Sequence, residues 1–133
     1  MHFRKTFVYL GVMRHFKKNA SMNEYLTYKK NLYEIIELWS SAEKQLEFQK
    51  EVPIAQVSHE LFNDWDAYYA NGIDFEKFLT EKEIKLFKDF NNTINKVCDS
   101  TPQILPEISE FINTAEWKIV NEKAKKILGN LKS

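Results

Sequence analysis

Residues 21–50 read SMNEYLTYKKNLYEIIELWSSAEKQLEFQK, and their spacing decides the fold class. The apolar positions Tyr25, Tyr28, Leu32, Ile35, Trp39, Ala42 and Leu46 are separated by alternating steps of three and four. That is a heptad seam sustained over three heptads, a helical period that no strand can satisfy. Ser21 and Glu24 form a capping box ahead of it, in which each side chain satisfies a free backbone donor of the other residue. A single long helix is therefore expected from about residue 22 to residue 50. In a chain of 133 residues such a seam is expected to pack inside a bundle, the alternative being a coiled coil between copies.

The same period extends in both directions. Residues 6–18 suggest an N-terminal helix packed on the core, a basic amphipathic surface helix being the alternative. Pro53 suits the first turn of a helix in which Ile54, Val57, Leu61, Trp65 and Tyr68 share a face and Asn71-Gly72 is the stop. An aromatic connection over residues 73–79 follows. Thr80 and Glu83 form a second capping box, opening a helix to about Cys98 that buries Ile84, Phe87, Phe90, Ile94 and Val97. Residues 99–102 read as a turn, and Pro106 opens a short helix with Ile108, Phe111 and Ile112. Thr114 caps a last helix that turns Trp117, Val120, Ala124, Ile127 and Leu128 inward and ends at Gly129. No window alternates with period two. The expectation is a single all-α domain over residues 1–133, a bundle of five to six helices with one long heptad-patterned member.

Composition narrows the function. Ten Phe, six Tyr and three Trp exclude a disordered chain, and one cysteine excludes both a disulfide framework and a cysteine zinc site. Arg4 and Lys5 precede only a short apolar run, no small-residue cleavage site follows, and no stretch has the length of a membrane span. A soluble cytoplasmic protein is expected. There is no phosphate-binding glycine loop, no H-E-x-x-H and no G-x-S-x-G. His2, His15 and His59 are scattered. On a helix His59 lies about 140° from Asp64, so His59, Glu60 and Asp64 do not converge on a metal, and His59 is expected to face solvent. Cys98 falls near a helix C-terminus, where the dipole raises a thiol pKa, and is expected to be a buried structural residue. Neither an enzyme nor a cofactor or metal is expected.

Charge carries the one functional signal. Lys plus Arg and Asp plus Glu both number 19, so the net charge is zero, which argues against a general nucleic-acid binder. The zero hides a division: residues 1–33 carry +6, residues 34–90 carry −7 and residues 91–133 carry +1. Residues 51–76 contain Glu51, Glu60, Asp64, Asp66, Asp74 and Glu76 and no Lys or Arg. On a helical wheel Glu60 and Asp64 border one edge of the core stripe, while Phe62, Tyr69 and Asp66 border the other. One reading is that Arg14, Lys17, Lys18, Lys29 and Lys30 neutralise this helix within the fold. The other is a docking site for a basic partner, in which carboxylates steer association and aromatics anchor it. The candidate contact residues are Glu60, Phe62, Asp64, Asp66, Tyr69, Asp74 and Glu76.

The run Asn63-Asp-Trp-Asp-Ala-Tyr-Tyr69, followed by Asn71-Gly-Ile-Asp74, resembles the acidic, double-tyrosine recognition segment of colicin-type immunity proteins. Those are small helical bacterial proteins that bind and neutralise a cognate toxin. The spacings Phe75-x-x-Phe78-Leu79-x-x-x-Glu83-x-x-x-Phe87-x-x-Phe90 and Trp117-x-x-Val120-x-x-x-Ala124-x-x-x-Leu128 also resemble those of helical proteins encoded beside bacterial toxins. The resemblance implies that Asp64, Asp66, Tyr68, Tyr69 and Asp74 contact a toxin, whereas the wheel puts Tyr68 on the core face. The expected function is a non-enzymatic immunity protein that occludes a basic, nuclease-like toxin domain. The alternative is a self-associating helical domain, a homodimer held by charge complementarity or by the heptad seam.

Overall fold

The computed structural model describes residues 22–69 and 74–132. The expected helix over residues 6–18, the Ser21 cap, the Asn71-Gly72 stop, and His2, Arg14, His15, Lys17 and Lys18 lie outside the described residues. Among the described residues six helices follow one another: α1 (Met22–Trp39), α2 (Ala42–Glu51), α3 (Val57–Tyr68), α4 (Glu81–Asp99), the single turn α5 (Ile108–Phe111) and α6 (Ala115–Leu131), with a 3-10 turn (Asp74–Phe78) before α4. No strand occurs among the described residues. The fold is the expected all-α bundle. Its most extensive contact is α4 on α6, followed by α1 on α6 and α1 on α3.

The heptad seam is consumed inside this bundle. Tyr25, Tyr28, Leu32, Ile35 and Trp39 are all buried in one core with Leu61, Trp65, Phe87, Phe90, Val120 and Ala124, which leaves no seam for a coiled coil between copies. The long helix expected over residues 22–50 is not continuous: it breaks at Ser40-Ser41. Both serines compete for the backbone there, as short hydroxyl side chains do. Ser40 donates its hydroxyl to the Glu37 carbonyl at 2.6 Å, and the Ser41 hydroxyl accepts from the Lys44 amide at 3.1 Å, making Ser41 the N-cap of α2. Beyond the break the seam lapses. Ala42 is half-buried, Leu46 is exposed, and the residue that α2 buries is Gln45.

Three other expectations are corrected. Pro53 does not open α3: it sits in a turn closed by the Ala55 amide on the Val52 carbonyl at 2.9 Å, where its fixed φ suits the second position. Ile54 is therefore a turn tip, 93% exposed, and not a core residue. Gly129 does not end the last helix, which runs on to Leu131. The threonine caps expected at Thr80 and Thr114 hold, with reciprocal bonds between Thr80 and Glu83 and the Thr114 hydroxyl accepting from the Trp117 amide. Phe87, Phe90, Ile94, Val97 and Cys98 are buried as expected, and Ile84 is half-buried.

One polar node ties α1 to α4. Glu83 is buried and takes the Lys29 ammonium at 2.7 Å, the Tyr33 hydroxyl at 2.9 Å and the Thr80 amide at 2.9 Å. Lys29 therefore serves α4, not the acidic stretch. Burial alone pushes the Glu83 carboxyl up, but the Lys29, Thr80 and Tyr33 hydrogen bonds together with the Lys29 charge outweigh it and hold the carboxyl below its ordinary value. Burial, reinforced by Glu83, pushes Tyr33 up to about 12. The signs give the pH window. Glu83 stabilises fully above its unfolded-state pKa and loses this as pH falls through the lowered folded value; Tyr33 loses its contribution as pH rises from 10 towards about 12. Lys29→Met is expected to shift the acid unfolding midpoint, followed by circular dichroism, to higher pH, with the two proteins converging once Glu83 is protonated in both. Equal midpoints would remove the node from the acid limb.

Candidate acidic groove

The break at Ser40-Ser41 has a consequence at the surface. It folds α2 back so that α1, α2 and α3 enclose a groove of about 660 Å³. Each wall is a helical stripe. From α1 come Asn31, Glu34, Ile35, Glu37 and Leu38; from α2 come Lys44, Glu47, Phe48 and Glu51, at i, i+3, i+4 and i+7; from α3 come Asp64 and Tyr68, one turn apart. Five carboxylates and one lysine thus surround a floor of Ile35, Leu38, Phe48 and Tyr68. On one continuous helix Glu34 and Glu51 would stand about 25 Å apart. Only the turn makes them neighbours across a cleft.

The structure divides the residues singled out from the sequence. Asp64 lines the groove, and so does Tyr68, half-buried where the wheel had put it on the core face. Glu60 is half-buried and accepts the Gln56 amide at 3.1 Å, doing at the start of α3 the capping that the Gln56 side chain does not. Phe62 is not a rim residue. It is 2% exposed and packs edge-on against Trp39, with ring centroids 5.1 Å apart. The wheel misplaced it because α3 is covered on two sides, by α1 and by α5 with the loop before it, so its buried arc is wider than one stripe. Asp66 is half-buried on α3. Tyr69 ends that helix, stacks on Trp65 at 5.1 Å and has its hydroxyl pKa raised by burial and by the Glu76 charge. Glu76 meets Lys88 at 3.6 Å, so α4 supplies one of the cations that the 51–76 stretch lacks. Asp74 opens the 3-10 turn. The predicted set therefore does not converge on one patch: Asp64 belongs to the groove, Tyr69 and Glu76 to another edge, and Glu60 to a cap.

The sequence reading missed Glu34, Glu37, Glu47 and Phe48. The signal that could have found them is the Ser-Ser pair inside an otherwise apolar heptad, since serine favours caps over helix interiors. One further expectation is corrected by placement. His59 does not face solvent: its Nε2 accepts the Leu105 amide at 3.2 Å. Among the described residues no three His, Cys, Asp or Glu side chains converge as a metal site, and no helix is long and apolar enough to cross a membrane.

No protein-family model, curated protein or solved structure matches the chain.

Proposed function

We propose that the chain is a non-enzymatic binding protein, an immunity protein that neutralises a basic, nuclease-like toxin domain by seating part of it in the acidic groove. The observation that carries this reading is the lining of the groove: carboxylates from three helices around a floor with two aromatic rings. A nuclease cleft is basic because it binds phosphate. Carboxylates can stand where phosphates would, and Phe48 and Tyr68 can stand where bases would. The resemblance of residues 63–74 to an immunity recognition segment agrees with it, since Asp64 and Tyr68 fall in both.

The test pairs the chain with the basic C-terminal domain of a toxin encoded beside it. Glu47→Lys with Glu51→Lys is expected to weaken the complex by at least about tenfold at low salt, mostly through slower association, and to leave the unfolding midpoint of the chain unchanged. Phe62→Ala, by contrast, is expected to lower stability before it affects binding. A complex indifferent to both charge reversals would remove the groove from the interface.

A further inference from the structure

A second face is built on the opposite side of α2. Leu46, Gln49 and Lys50 point about 160° away from the stripe that lines the acidic groove. They form, with the turn at Pro53 and Ile54 and the segment from Ile104 to Ser109, another groove of about 660 Å³. Ile54 is 93% exposed on one wall and Ile104 is 80% exposed on the other. Isolated exposed isoleucines call for no explanation, but these two flank one cleft, each beside backbone that a polar side chain holds by hydrogen bonds.

Gln49 fixes the first wall. Its amide donates to the Ala55 carbonyl and, at 3.3 Å, to the Val52 carbonyl, while its Oε1 accepts the Val57 amide at 3.2 Å. Ser58 and His59 fix the second. The Ser58 hydroxyl donates to the Pro106 carbonyl at 2.7 Å, and His59 Nε2 accepts the Leu105 amide. Three polar side chains thus hold two loops whose tips present isoleucine to water. An apolar anchor on a preorganised loop loses little entropy on binding, which is how such residues come to dominate an interface.

The charges of this face indicate its occupant. The wall of α2 carries Lys50 and the opposite wall carries Glu107. A two-fold axis along the groove would bring the α2 wall of one copy over the opposite wall of the other. The wall with Ile54 and Lys50 would then face the wall with Ile104 and Glu107, twice over. A surface that bears both a projecting isoleucine and its complement, and both signs of charge on opposite walls, is self-complementary in the way an isologous interface requires. We infer that this chain forms a two-fold dimer through the Ile54–Ile104 face, leaving the acidic groove open on the other side of α2.

Sedimentation equilibrium on the full chain from about 5 to 500 μM tests this. The wild type is expected to approach the mass of two chains and to remain there in about 0.5 M salt, because the anchors are apolar. Ile54→Asp and Ile104→Asp, both at exposed positions, are each expected to weaken the dimer by at least about tenfold. Lys50→Glu should weaken it, and Lys50→Glu with Glu107→Lys should restore it, a recovery that non-specific stickiness would not give. A monomer over the whole range would overturn the inference. So would a dimer that ignores both aspartates, or one that salt dissolves. An Ile54→Asp protein that loses a different polypeptide instead would assign the face to that partner and overturn the dimer as well. Since the groove variants Glu47→Lys and Glu51→Lys lie on the far side of α2, failure here and failure of toxin binding are separate results.

Discussion

Gln45→Leu is expected to destabilise the protein by about 1–3 kcal/mol, although it places an apolar residue of similar size at a fully buried position. Gln45 is 0% exposed, and its amide makes three bonds there. Nε2 donates to the Leu38 carbonyl at 2.9 Å and to the Trp39 carbonyl at 3.2 Å, and Oε1 accepts the Trp117 indole N–H at 2.8 Å. Leu38 and Trp39 close α1, where the last carbonyls have no intrahelical donor. Leucine would leave the Trp117 N–H buried and unpaired, whereas the Leu38 carbonyl would keep the Ser41 amide at 3.2 Å and the Trp39 carbonyl the Asn121 amide at 2.9 Å. Urea unfolding at an unchanged slope measures the loss. The control is Leu46→Gln, which exchanges the same two residue types one position along. Leu46 is exposed, so the change is expected to cost less than about 0.5 kcal/mol. A larger cost at 46 than at 45 would mean that the heptad seam, not the turn, governs α2.

Trp39→Ala is expected to cost about 3–5 kcal/mol, among the largest losses a single truncation here can produce. The indole is completely buried at the end of α1, donates to the Leu61 carbonyl at 3.1 Å and meets the Phe62 ring edge-on. Truncation therefore opens a cavity where α1, α3 and α6 meet and also leaves a carbonyl of α3 without its side-chain donor. Trp39→Phe should recover most of the packing but not that hydrogen bond, leaving about 1–2 kcal/mol of the loss. A double-mutant cycle with Phe62→Ala is expected to show coupling of about 0.5–1.5 kcal/mol, the range of a ring pair in edge-to-face contact. Additive losses would mean that the two rings act independently and that the core around them relaxes.

Periodicity made most of the fold legible because it records which residues are buried, and here burial and helical phase agree over long runs. Tyr25 to Trp39 and Phe87 to Val97 are such runs. Caps were legible for a local reason: Thr80 with Glu83, and Thr114, bond within three residues. What periodicity could not convey is where a helix stops without losing its pattern. Ala42 and Leu46 continue the seam in sequence, yet the Ser40-Ser41 turn directs them elsewhere and puts a glutamine inside. The candidate groove was hidden by the same event, since its walls are far apart along the chain and meet only after the turn. Acidic composition drew attention to residues 51–76, but composition carries no direction. It gathered a cap (Glu60), a groove residue (Asp64) and an ion pair with α4 (Glu76) under one heading. Phe62 escaped for a further reason, because a helix packed on two sides has more than one inward stripe.

The burial of α2 through a glutamine has a thermodynamic corollary. This helix lends one face to the acidic groove and the opposite face to the Ile54–Ile104 groove, and the one residue it buries fully is Gln45, with half-buried Ala42, Phe48 and Gln49 around it. Segments with so little buried apolar surface open locally before the rest of a domain does. Every opening of α2 dismantles both grooves together, so each is competent only for the fraction of time that α2 is docked. Occupying either one raises that fraction, and the same free energy becomes available to the other. Occupants of the two faces would thereby be linked by positive cooperativity without any change of shape in the docked state, with the free energy of undocking a ten-residue helix as its ceiling.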